Sequence, residues 1–155
     1  MTTDSADSNV PEPNSTAQSE LETSSFAQQV TPLLTDLLYP SESDEPLERV
    51  ETYLRMAEPL TVSHMKDWLM LPPSNYVEEI TEAEFWEPVV TIEDWFGDDE
   101  KAKAAQFQKL KTYLETTLVD RQVFRVGQTE IDVYLLGKPK EGEPRVGLKT
   151  KVIET

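Results

Sequence analysis

From Phe26 onward, apolar residues fall at Phe26, Val30, Leu33, Leu34 and Leu37, a spacing that puts all five on one side of a helix. The expected helix runs from Phe26 to Leu38, capped by Ser24 or Ser25 and closed by Pro40. The polar stretch Ser41-Glu42-Ser43-Asp44-Glu45-Pro46 then reads as a loop. After it, Val50, Thr52, Leu54 and Met56 alternate with Arg49, Glu51, Tyr53 and Arg55, the period of a half-buried strand. A helical reading through Leu47, Val50 and Leu54 competes with it. Residues 63–71 predict a short helix that buries Met65, Trp68 and Leu69 and stops at Pro72-Pro73. Tyr76–Ile80 reads as a strand. Thr81, with Glu82 and Glu84 behind it, opens another short helix, Ala83–Trp86, before Pro88.

The longest helix opens at Asp98 or Asp99, with acids in its first turn and Phe107, Leu110, Leu114 and Leu118 at helical spacing. The remainder has the pattern of antiparallel sheet. Gln122–Val126 turns at Gly127 into Glu130–Leu136, where Ile131, Val133 and Leu135 alternate with Glu130, Asp132 and Tyr134. A loop with Gly137, Pro139, Gly142 and Pro144 leads to a last strand, Arg145–Ile153. Helices before and among strands, ending in an antiparallel meander, indicate an α+β fold, a layered sandwich.

The chain has 155 residues, which suits one domain. Residues 1–24 hold five acids, no base and no aromatic, so they are expected to form a disordered acidic tail before a folded domain at 25–155. There are no cysteines and one histidine, which excludes disulfides, thiolate chemistry and a Cys-His zinc site. The start, MTTDSADSNV, lacks a basic region followed by an apolar run, and no apolar stretch nears about 18 residues. The expected address is the cytosol, without a membrane. Net charge is −16, unevenly spread. Residues 1–100 carry 23 acids against three bases, whereas residues 101–155 carry 11 bases against seven acids. Such an acidic surface repels nucleic acid and attracts proteins that bind it, although plain solubility also accounts for it.

Few residues announce chemistry. His64 has no nucleophile motif around it, so a structural or surface role outweighs that of a general base. Glu42, Asp44 and Glu45 could form an acid/base pair or a Ca²⁺ loop, yet the spacing is not that of an EF-hand, and short acidic loops are usually solvated. Asp94, Asp98, Asp99 and Glu100 sit where a helix N-terminus favours acids. There is no Gly-rich phosphate loop and no nucleophile elbow. The bases of the C-terminal third are interleaved with acids and lack a stacking platform, so direct nucleic-acid binding is not expected. Trp68, Trp86 and Trp95 are core candidates by residue type, but Trp95 lies in an acidic loop, where an aromatic has the look of a protein–protein hot spot. Neither a cofactor nor catalysis is expected.

The residues Asp94-Trp95, Ala105 to Leu110, Gln122 to Gly127, Ile131 to Tyr134 and Thr150 to Thr155, in this order, resemble the cyanobacterial nuclease A inhibitor family. Leu37 to Pro46 resembles that family's acidic loop. The likeness spans roughly 25–55 and 89–155, and no single motif carries it alone. It implies an α-β-α sandwich that inhibits a sugar-nonspecific ββα-metal endonuclease, one to one, in the cytosol of the producer. It also implies that Thr155 and Glu42 block the nuclease's Mg²⁺ site and act as metal ligands only in that complex. Trp95 and Glu93 would touch the enzyme. The family has a glutamine at the place of Glu93, so that residue departs from the pattern. The competing reading is an acidic, phosphate-mimicking protein that binds a different nucleic-acid-binding partner.

Overall fold

The computed structural model describes residues 26–140 and 142–154. The expected tail, the Ser24 or Ser25 cap and Thr155 lie outside the described residues. Helix α1 (residues 26–34) presents Phe26 and Val30 to the core. It ends earlier than its apolar stripe, because Asp36 takes a left-handed conformation (φ 59°) and turns the chain. Leu37 is therefore buried from a turn rather than a helix, and Leu38–Tyr39 form strand β1, paired antiparallel with β2 (Glu45–Pro46).

Strand β3 (Glu48–Glu51) begins the main sheet. The alternation seen in the sequence continues past it: Thr52 and Leu54 are buried, Tyr53 is exposed, and Thr52 and Leu54 exchange backbone hydrogen bonds with Arg145. The extended reading of this stretch holds and the helical alternative fails. Helix α2 (Val62–Leu69) starts at a reciprocal capping box, in which the Thr61 hydroxyl accepts from the His64 N–H and His64 Nδ1 accepts from the Thr61 N–H. His64 has a structural task, at a helix end.

Strand β4 (Val77–Ile80) leads into α3 (Glu82–Val90), again through a capping box, between Thr81 and Glu84. The sequence led us to end this helix before Pro88, but Pro88 lies inside it. A proline there forfeits one intrahelical hydrogen bond. The turn persists because Phe85, Trp86 and Val89 are buried on one side, and because side chains serve its last carbonyls. Thr91 Oγ1 donates to the Glu87 carbonyl, and Gln108 Nε2 donates to that of Val90.

Helix α4 (Asp98–Thr117) has three acids in its first turn and Phe107, Leu110 and Leu114 facing inward; Leu118, buried just past its end, is the C-cap. Strands β5 (Val119–Val126), β6 (Glu130–Lys138) and β7 (Val146–Ile153) complete an antiparallel sheet in the order β3-β7-β6-β5-β4. β5 starts earlier than expected, through an irregularity where Asp120 has φ 54°. Gly127, at φ 110°, makes the tight turn between β5 and β6.

Apolar clusters lie on both faces of the sheet. On one, Val123, Ile131, Val133, Leu135, Leu148 and Val152 meet α1, α3 and α4. On the other, Phe124, Val126, Tyr134 and Leu136 meet Met65 of α2 together with Leu54 and Leu60. Tyr134, expected to point outward, is therefore buried. This is the helix–sheet–helix layering of an α+β sandwich. A sheet covered on both sides shows little outward polarity in its middle strands. No helix among the described residues is long and apolar enough to cross a membrane.

Candidate functional site

The site is assembled at the edge of β7. β3 pairs with β7 only as far as Lys149, so the backbone of the following residues must find other partners. The 38–46 hairpin supplies them. Thr150 Oγ1 donates to the Pro46 carbonyl at 2.9 Å, the Ile153 N–H donates to Ser41 Oγ at 3.0 Å, and the Glu42 N–H reaches the Ile153 carbonyl at 3.4 Å. Inside the loop, Ser41 Oγ donates to the Ser43 carbonyl at 2.6 Å, and Ser43 Oγ donates to Glu45 at 2.6 Å. The acidic loop is thus bound side-on to the last strand, with Glu42 and Asp44 exposed.

On the other side of β7, the Glu154 N–H donates to the Thr129 carbonyl at 2.8 Å, and Arg125 Nη2 holds the Glu154 carboxylate at 2.8 Å. Arg125 Nε is buried without a hydrogen-bond partner among the described residues. The Glu78 carboxylate stands 3.7 Å from it, close enough for an ion pair but too far for a hydrogen bond. A hollow of about 390 Å³ opens here, lined by Ser41, Glu42, Glu84, Arg125 and Glu154 over an apolar floor. Tyr39 forms part of that floor. Burial pushes its phenol up to about 12, partly opposed by Arg125, and its hydroxyl donates to the Phe85 carbonyl at 2.6 Å. With Glu42, Glu84 and Glu154 against one arginine, the rim favours a cation or a cationic side chain.

A second hollow of about 160 Å³ adjoins the first through Pro40 and Pro88. Asp44 and Trp95 both line it. Trp95 is 73% exposed and rests edge-on against Phe96, their centroids 4.7 Å apart. The other two tryptophans differ. Trp86 is 1% exposed and donates from its indole to Glu82, and Trp68 packs edge-on to Tyr134. Glu93 is exposed in the same turn as Trp95, where its carbonyl accepts from the Phe96 N–H. Glu42, Trp95 and Glu154, from three distant parts of the chain, therefore border one continuous edge; Glu93 stands beside it and lines neither hollow.

Sequence reasoning missed Ser41, Arg125 and the two prolines between the hollows. Their roles depend on which strands meet, and no local pattern signals that. Among the described residues no group of three or more His, Asp or Glu is placed to hold a metal ion.

Curated proteins give no match to the chain. Residues 24–155, which include both hollows and the acidic loop, match the family described as Nuclease A inhibitor-like protein, and the chain belongs to that family.

Proposed function

We propose that this protein inhibits a sugar-nonspecific ββα-metal endonuclease by seating Glu42 and Thr155 at the enzyme's Mg²⁺ site, with Trp95 and Glu93 as flanking contacts. Membership of the inhibitor-like family supports a nuclease as the protein partner. The observation that carries the finer reading is the hydrogen-bonded union of the acidic loop with the end of β7, which leads to Thr155. On this reading the Glu42 carboxylate and the Thr155 carboxylate act together at the metal.

The chemistry fits. Carboxylates and a threonine hydroxyl are hard oxygen donors of the kind Mg²⁺ takes, and can stand where a scissile phosphate would. The excess of acid over residues 1–100 would steer the protein toward a groove made basic for nucleic acid. Trp95 offers a large, rigid surface already exposed in the free protein, so little ordering is lost on contact. On this reading the protein is not an enzyme. It acts in the cytosol of the producing cell, one molecule per nuclease.

The test is to titrate the purified protein into DNA and RNA cleavage by a ββα-metal endonuclease. Cleavage of both substrates should cease near equimolar inhibitor. Full cleavage at a large molar excess, across several enzymes of that class, would overturn the reading and favour another nucleic-acid-binding partner.

A further inference from the structure

We infer that Ser41 is a positioning residue, whose hydroxyl fixes the acidic loop to β7 and so holds Glu42 in register with the end of that strand. This rests on the inhibitory reading above and adds to it the means by which its two halves are kept together.

A serine hydroxyl has one proton to donate and two lone pairs to accept with. All three are used at Ser41. Oγ accepts from the Ile153 N–H at 3.0 Å and from the Ser43 N–H at 3.2 Å, and it donates to the Ser43 carbonyl at 2.6 Å. One atom thus closes the loop on itself and closes it onto β7. The adjacent Glu42 N–H, reaching the Ile153 carbonyl at 3.4 Å, is the weaker half of the same junction. Without the hydroxyl that longer bond would stand alone at this point of the strand edge, and the Ile153 N–H would be left without its acceptor.

The junction lies at the rim of the fold: Ser41 and Ser43 are half-buried, between the core residues Tyr39 and Leu47 that anchor the hairpin without them. The other edge of β7 is secured independently, by its ladder with β6 and by the bond from Glu154 to Thr129. Removing the hydroxyl should therefore free the loop relative to the strand without opening the core. Its effect on a partner would come through pre-organisation: two groups delivered in fixed relation lose less freedom on binding than two that move separately.

The experiment compares wild type, Ser41→Ala and Ser41→Thr in the full chain, each also combined with Glu42→Gln. Inhibition of the nuclease and hydrogen exchange at the Ile153 amide are the readouts. Ser41→Ala should weaken inhibition about tenfold and speed Ile153 exchange by a similar factor, with the melting temperature within about 3 °C of wild type. Ser41→Thr, which keeps the hydroxyl, should restore most of both. The penalty for Glu42→Gln should be several-fold smaller in the Ser41→Ala background, because a loosened loop makes poorer use of that carboxylate. Ser41→Ala inhibiting as well as wild type, additive penalties, or loss of the fold in Ser41→Ala would each overturn the inference. A wild type that does not inhibit would instead sink the functional reading itself.

Discussion

Trp86 and Trp95 belong to neighbouring stretches of chain but to different surroundings, one covered and one open. Trp86 sits on α3 against Phe85, its ring covered and its N–H held by Glu82. Trp95 sits in the turn before α4, open to solvent beside the acidic loop. The first region is covered sheet and helix, where shape and burial set stability. The second is an exposed edge of carboxylates and one aromatic, where little folding energy is at stake and much contact surface is on offer. β7 runs through both: Gly147 lies between two neighbouring strands near its start, and Ile153 meets the loop at its end. Residue type alone does not tell the regions apart; the partners of each side chain do.

The sharpest way to break the covered region is Gly147→Ala. A Cβ at that position would collide with the Leu135 carbonyl oxygen of the adjacent strand, and strand backbone cannot give way as a flexible side chain can. The expected result is a loss of about 4 kcal/mol or more in urea unfolding, or no folded protein at all. Trp86→Ala should follow, at about 3–5 kcal/mol, because it empties a fully covered site and deprives the Glu82 carboxylate of its indole donor. Where either variant remains folded, its inhibition should match wild type.

Alkaline pH offers a milder test of the same region. Burial raises both Tyr39 and Tyr134 to about 12, from an ordinary 10 in the unfolded chain. A folded-state value above the unfolded one means that the unfolded chain loses these protons first. Their contribution is intact below about pH 10 and fades as pH rises toward 12. Replacing Tyr134 with Phe should flatten part of that decline in a pH series of thermal melts.

In the exposed region the readout reverses. Trp95→Ala should leave circular dichroism and melting temperature as in wild type while weakening nuclease inhibition by about 2 kcal/mol, the usual scale for truncating a contact hot spot. A variant that unfolds instead would move Trp95 into the covered region and erase the distinction.

The sequence disclosed the covered region better than the edge, for physical reasons. Local patterns carry local structure: the stripe Phe107, Leu110, Leu114 marked α4, and alternation through Leu54 marked an extended segment even where strand pairing thins out. The errors fell where tertiary contacts override local preference. Pro88 stays helical because buried neighbours and two side-chain caps hold its turn, and Leu37 is buried although the helix has already ended. Tyr134 is covered because α2 closes a face that alternation alone assigns to solvent. At the edge, resemblance to a family pointed to Glu42 and Trp95, and both border it. The residues that join the edge, Ser41 and Arg125, act through partners more than 25 positions away, beyond any window of spacing.

The central claim is that the chain end itself enters the partner, and the most direct measurement is an inhibition titration with one alanine appended after Thr155. In an extended chain this moves the terminal carboxylate by about 3.4 Å, more than a Mg²⁺ shell with ligands near about 2.1 Å tolerates. The account predicts inhibition weakened about 30-fold, close to 2 kcal/mol, with an unchanged melting temperature. Undiminished inhibition by the extended chain would contradict it, and would leave Glu42 and Trp95 to block the nuclease without the terminus.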